Sequence, residues 1–237
     1  MLPKVAIICA NYNYGDYIIP AIESVINQTY KGMLRLYVVD DGSSDDSWDK
    51  ISKYPCDWLF TKRIENSGAS VARNTAIEMC WDWADIFGIL DADDAYYPEK
   101  VEKLVAKLVE HEEVGVAYAD YENVNPNFSK REFKTSYSRT TLMERCIVHS
   151  NSLIKKEYLD KIRLPNGELF DSKLHGPASK EFIGCSEDYD LWIRLSSVCM
   201  MTHVPECLAI ANQHGNNQAM KMTREIFEQN AEIIGSR

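Results

Sequence analysis

The sequence predicts an α/β fold built on a mainly parallel, doubly wound sheet with helices on its faces. Two observations carry that reading. From residue 5 to residue 119, short apolar runs of strand length alternate with segments whose apolar residues recur at helical spacing. Acids also gather where two of the runs stop, at Asp40-Asp41 and at Asp91, Asp93 and Asp94. Those are the carboxyl ends of strands, where open α/β sheets bind their ligands, so the acids are expected to line one crevice.

Residues 5–10 are a continuous apolar run, and 18–27 place Ile18, Ala21, Ile22, Val25 and Ile26 on one helical face. Residues 34–39 read as the second strand. Ser43 or Ser44 can cap the next helix, with Asp45 and Asp46 in its first turn, where acids complement the helix dipole. The third strand is 58–61, a helix covers 69–81, and the fourth strand is 86–90. Pro98 suits the first turn of a helix that continues to Glu110, and 114–119 is a fifth strand. Beyond it the pattern is less regular. Residues 121–140 are polar and aromatic, with Asn-Pro at 125–126, and read as a loop, while 146–154 reads as a strand. An excursion over 163–185 holds Pro165-Asn166-Gly167 and Gly176-Pro177. Residues 186–197 read as a helix capped by Ser186, 201–211 as extended chain and 223–234 as a terminal helix. No repeat, low-complexity tract or linker divides the chain, so 1–237 is expected as one domain whose halves, 1–120 and 121–237, pack together.

Composition narrows the class. The 237 residues are 45% hydrophobic and 26% charged, with a net charge of −10, ordinary for a globular domain with a sizeable core. That acidic balance argues against a nucleic-acid footprint and against direct docking on an anionic membrane. Seven cysteines are scattered with no CxxC pair, which speaks against a disulfide framework or a zinc ribbon and for a reducing, cytoplasmic setting. No apolar run approaches the ~20 residues of a membrane span, and the N-terminal apolar run leads into Asn11-Tyr12-Asn13 without a cleavage pattern, as a first strand does. A soluble protein, at most peripheral to a membrane, is expected.

Five stretches could carry chemistry. "LDADD" (90–94) gathers Asp91, Asp93 and Asp94. The cluster fits a solvated turn with a capping acid, and equally a divalent cation site, since Mg²⁺ and Mn²⁺ favour carboxylate oxygens. A calcium EF-hand loop is excluded because Tyr96 stands where that loop needs glycine. "VVDDGSSDDSW" (38–48) ends a strand at Asp40-Asp41. It fits a well-capped turn, and a carboxylate there can also accept hydrogen bonds from a base or ribose. No GxGxxG follows the first strand, which disfavours a nicotinamide site. "ENSGASVARNTA" (65–76) places Arg73 one turn into a helix, as a surface arginine or as a diphosphate ligand. In "CSEDYDLWIRL" (185–195), Glu187 and Asp188 are either dipole partners or a source of one general base, with Tyr189, Trp192 and Leu195 as a buried face. His214 in "NQHGNNQA" (212–219) is either an ordinary polar contact or a ligand for a metal or phosphate.

In order and spacing, "VAIICANYNYGDYIIPAIESVINQTY", "VVDDGSSD", "NSGASVARNTA", "LDADD" and "SEDYDLWIRL" together resemble family 2 of the inverting glycosyltransferases, which have the GT-A fold. The match covers residues 5–195, with "NQHGNNQA" extending it to 219. The resemblance implies a nucleotide-sugar-binding half over 1–120 and an acceptor-binding half over 121–237. It implies that Asp41 binds the base of a nucleotide-sugar, most simply a UDP-sugar, with Ala10 and Tyr12 beside it, and that Arg73 holds the nucleotide or diphosphate. Asp91 and Asp93 would face the sugar-diphosphate, and Asp93, Asp94 and His214 would hold Mn²⁺ or Mg²⁺. Asp188 would be the catalytic base, accepting the proton of an acceptor hydroxyl as it attacks the anomeric carbon with inversion. Asp40, Glu187 and Trp192 are secondary candidates. A glycan or related molecule would be the acceptor. The transmembrane helices and QxxRW motif of the polysaccharide synthases are missing, so processive synthesis is not expected.

Two other readings compete. A nucleotidyltransferase could use similar acids, but "ANYNYGDY" has no Lys or Arg to clamp a triphosphate. A non-catalytic nucleotide-sugar-binding module would have no need of the Glu187-Asp188 pair.

Overall fold

A computed structural model describes residues 1–174, 187–214 and 224–236. The elements, in chain order, are β1 (Val5–Asn11), α1 (Ile18–Ile26), β2 (Leu34–Asp40), α2 (Ser47–Ser52), β3 (Leu59–Arg63), α3 (Ala69–Cys80), β4 (Ile86–Asp91), β5 (Ala95–Tyr96), α4 (Lys100–Glu110), β6 (Val114–Asn125), β7 (Phe128–Glu132), α5 (Arg139–Glu144), β8 (Leu153–Lys155), α6 (Lys156–Asp160), α7 (Glu187–Leu195), β9 (Met200–Asn212) and α8 (Arg224–Gly235). The expected cap Ser186, the Gly176-Pro177 turn and the motif residues beyond His214 lie outside the described residues.

The strands form one sheet in the order β3-β2-β1-β4-β8-β6-β9-β5, with β7 hairpinned onto β6. Pairs β1–β2, β1–β4, β2–β3 and β6–β9 are parallel, and β8 enters antiparallel between β4 and β6. Alternation along β1 divides the core. Ala6 and Ile8 point into the cluster shared with α3 and α7, while Val5, Ile7 and Cys9 point into the one shared with α1 and α4. All five are at most 1% exposed, so β1 is covered on both faces, which is why its sequence is a continuous apolar run. No helix among the described residues is long and apolar enough to cross a membrane.

Several local expectations change. Residues 121–140 are not simply a loop, because β6 continues to Asn125 and turns at Pro126 into β7. Their side chains are polar because this end of the sheet is half-exposed, yet β9 and β7 supply the backbone pairing from either side. Of the strand expected over 146–154, only Leu153 and Ile154 are extended, as the start of β8. The preceding residues fold back instead, with Ser152 N donating to Ser150 O at 2.6 Å. The two-residue β5 was not expected from the sequence and is held by β9. Ser43 and Ser44 do not cap α2. That helix starts at Ser47, and Ser43 instead donates to Asp40 at 2.5 Å. Helix α4 starts at Lys100, leaving Pro98 just before it.

Candidate functional site

The carboxyl ends of β1 and β2, the start of α3 and the start of α7 converge on one cavity. Ala10, Asn11, Tyr12, Tyr14, Asp41, residues 66–70, Ser172, Leu174 and Glu187 line it. The two neighbouring acids of β2 have opposite placements. Asp40 is fully buried and does not line the cavity; it accepts from Asn11 Nδ2 at 2.9 Å and from Ser43 N at 3.1 Å, and pairs with Arg63 at 3.3 Å. It is the clamp of the turn. Asp41 faces the cavity, its two oxygens accepting from Ser67 N at 2.7 Å and Gly68 N at 2.9 Å. Gly42 makes this approach possible. Its φ of +71° is in the left-handed region, and a Cβ there would stand 2.8 Å from Asn66 N.

At the inner end, Arg73 reaches from α3 to both remaining acidic elements. It donates to Asp91 Oδ1 at 2.7 Å and to Glu187 Oε1, and lies 5.5 Å from the Phe170 ring centroid. Burial opposes its charge, but Glu187 and Asp91 outweigh that and hold the guanidinium firmly protonated. Burial likewise pushes the Glu187 carboxyl up, against the pull of Arg73 and with added repulsion from Asp188. The second Glu187 oxygen is buried and has no hydrogen-bond partner among the described residues.

The acidic turn after β4 divides its three carboxylates among different partners. Asp91 takes Arg73 and the Ser150 hydroxyl, the latter at 2.6 Å. Asp93 meets His214 Nε2 at 3.1 Å. Asp94 accepts from Asn151 Nδ2 at 2.7 Å and from Asn212 N at 3.2 Å, so it ties the turn to the 151 loop and to the end of β9. Burial, and then the charge of Asp91, raise both Asp93 and Asp94, Asp94 well above the usual carboxylate range. No group of three or more His, Cys, Asp and Glu side chains is gathered as a metal site among the described residues. Of Asp93, Asp94 and His214, the structure brings the first and last into contact and commits the middle one to Asn151 and Asn212.

Helix α7 presents the acid pair. Tyr189, Leu191, Trp192 and Leu195 are buried, and Arg194, paired with Asp190 one turn earlier in the same helix at 2.7 Å, ties the helix to the carbonyl of Ile162 at 2.8 Å. With that face locked inward, Asp188 stands in the first turn, its Oδ1 accepting from Tyr189 N at 2.8 Å. Trp192 is wholly in the core, and its Nε1 has no partner among the described residues. Sequence reasoning did not single out Ser150, Asn151 and Asn212, which brace the acidic turn. Nor did it find Tyr17, whose ring stacks on His214 at 4.3 Å. The polar run 149–152 was the only signal for Ser150 and Asn151, and it reads as any loop; Tyr17 and Asn212 stood inside quoted stretches with nothing to mark their contacts.

Comparison with known proteins places this geometry. An uncharacterized glycosyltransferase of Methanocaldococcus jannaschii is 26% identical over 203 residues, covering 81% of this chain and 64% of that protein. The chondroitin synthase of Escherichia coli is 26% identical over 225 residues, covering 93% of this chain and 30% of that one. The chain thus spans less than two thirds of these relatives. Among solved structures, S. aureus TarS 1–349 in complex with UDP-GlcNAc matches at a TM-score of 0.74 and 19% identity, over 98% of this chain and 66% of that one. The Pyrobaculum calidifontis mannosyltransferase in complex with GDP-Man and Mn²⁺ matches at 0.67 and 16%, over 98% and 70%. These likenesses establish the GT-A-type α/β fold. The family model described as Glycosyl transferase family 2 matches residues 6–163, from β1 through the acidic turn to the loop after α6, and the chain belongs to that family.

Proposed function

We propose that the chain transfers a sugar from a UDP-linked donor to a hydroxyl of a glycan-type acceptor, with inversion and with Asp188 as general base. The observation that carries this reading is Arg73, held charged between Asp91 and Glu187 where the cavity meets the acidic turn. A fixed guanidinium there stabilises negative charge growing on a departing diphosphate. The nucleotide occupies the cavity, with Ala10, Tyr12 and Asp41 around its base. Asp188, on the locked first turn of α7, accepts the acceptor's proton while the acceptor oxygen attacks the face opposite the leaving group. The TarS complex with UDP-GlcNAc supports the choice of UDP.

The residues also fit a divalent cation. Asp93 and His214 offer a carboxylate and an imidazole, a donor set that suits Mn²⁺, and burial together with the charge of Asp91 raises the Asp93 carboxyl, a penalty that a cation beside it would relieve. Of the three residues expected to hold the ion, Asp93 and His214 would do so, while Asp94, bonded to Asn151 and Asn212, would brace the turn. When bound, the ion adds positive charge beside the diphosphate. The test is a thermal-shift screen of UDP and UDP-sugars in Mn²⁺ and in EDTA. A donor at 100 times its Kd stabilises by about 2.7 kcal/mol. That shift is expected in Mn²⁺ and largely lost in EDTA; no shift with any UDP-sugar in either condition contradicts the donor assignment.

A further inference from the structure

On the acceptor side of Asp188 the chain builds a small basic island inside an acidic protein. Lys134 follows β7, its backbone N–H anchored on Asp120 Oδ1 at 2.8 Å. Its ammonium lies 5.3 Å from the centroid of the Tyr121 ring. The other face of the cluster is His149, whose ring centroid is 4.0 Å from that of Tyr121. Behind it, Lys100 is 2% exposed, with its ammonium 4.6 Å from the Tyr96 centroid.

Neither lysine forms an ion pair among the described residues. Two of the acids that act on Lys134 are already engaged. Glu132 pairs with Lys130 at 2.9 Å, and Asp120 with His203 at 2.8 Å. Asp188 is close enough for its charge to act on Lys134. Desolvating an ammonium without a counter-ion is expensive. Burial accordingly holds Lys134 below the usual lysine range and pushes Lys100 down to about 7, against the pull of Asp94. Desolvation, then the charges of Lys134 and Lys100, keep His149 neutral. Its Nδ1 accepts from Asn151 N at 3.2 Å, which puts the proton on Nε2 as a donor. Tyr121, Lys134 and His149 all keep partial solvent access. One ammonium, one neutral N–H donor and a second buried lysine behind them, with no carboxylate in ion-pair contact with either lysine among the described residues, suit an oxyanion.

We propose that Lys134 and His149, stacked around Tyr121 and backed by Lys100, form an acceptor subsite for an oxyanion, a phosphate or a carboxylate, carried near the acceptor's reacting hydroxyl. The subsite rests on the reading of Asp188 as the base only for its place on the acceptor side. Its test needs neither donor nor turnover, so it succeeds or fails separately from the transferase reading.

The test is an NMR titration of the full chain labelled at histidine Cε1, using glycerol 3-phosphate in one arm and methyl glucuronide in the other, against sodium chloride at matched ionic strength. The chain has five histidines, so the His149 signal is assigned by its loss in His149→Gln. A saturable shift of that signal with either probe is expected, and the arm that produces it names the source of the anion. Affinity is expected to fall roughly tenfold or more in Lys134→Gln, the effect of losing a charged hydrogen bond, and to return in Lys134→Arg. No saturable shift beyond that of chloride, or equal affinity in wild type and Lys134→Gln, overturns the proposal.

Discussion

Replacing Arg73 with Met removes a cation that joins α3, β4 and α7. The side chains of Arg73 and Glu187 are 10% and 6% exposed, and that of Asp91 is 27% exposed. Glu187 is therefore the partner that suffers, left as an uncompensated carboxylate in the core. Breaking a buried pair from one side costs about 3–5 kcal/mol. For a chain of this length, about 2–4 °C is lost per kcal/mol, so Tm falls by roughly 6–20 °C. The sign of the pH dependence follows from Glu187. Burial raises its folded carboxyl above the unfolded value, so the folded state takes up a proton more readily, and stability drops as pH rises through the folded value. Without Arg73 that value rises further. The deficit of the variant relative to wild type should therefore be smallest near about pH 5 and largest near about pH 8. Urea unfolding of both proteins across this range reads it directly. A deficit below about 1 kcal/mol, the same at every pH, refutes the claim that Arg73 neutralises a buried acid.

Four further substitutions probe the remaining parts. Asp41→Ala removes the acceptor of Ser67 N and Gly68 N; it should lower stability by about 1–3 kcal/mol and raise the donor KM, and an unchanged KM removes Asp41 from the donor site. Gly42→Ala forces a side chain into a left-handed backbone 2.8 Å from Asn66 N; a loss of about 1–3 kcal/mol in urea unfolding is expected, and a neutral result shows that the turn relaxes freely. Asp93→Asn should abolish most of the Mn²⁺-dependent part of donor stabilisation, whereas Asp94→Ala should lower stability through the lost bonds to Asn151 and Asn212. The reverse pattern in thermal shifts exchanges the two roles.

How far the sequence could be read varies with how a residue is held. The strands β1, β2 and β4 were legible because burial on both faces leaves an apolar run, and α1 and α4 because one buried stripe leaves a period. The far end of β6 was not, since its pairing comes from β9, 88 positions away, and leaves no local mark, and β7 was not, since its polar residues pair only with that half-exposed end of β6. The site shows the same division. That acids crowd the strand ends was visible. That Asp40 clamps a turn while Asp41 faces the cavity was not, because two adjacent acids differ only in which side of the strand they leave. Asp94 illustrates the limit most plainly. Its partners Asn151 and Asn212 are 57 and 118 residues away, and no spacing rule within "LDADD" announces them. Glu187, read as one of two candidate acids, gains its structural role only through Arg73, 114 residues earlier.

That pairing also makes Asp188 the cleaner position for testing the chemistry, because Glu187→Gln would disturb the buried ion pair as well. The decisive measurement is the turnover of Asp188→Asn at saturating donor, together with donor affinity and the pH profile. If Asp188 accepts the acceptor proton, turnover falls by roughly 10²–10⁴-fold while donor affinity stays near wild type, and the acidic limb of the profile disappears. Near wild-type turnover with an intact acidic limb contradicts the account, and leaves Asp188 as a partner of the helix dipole worth about 0.3–1 kcal/mol.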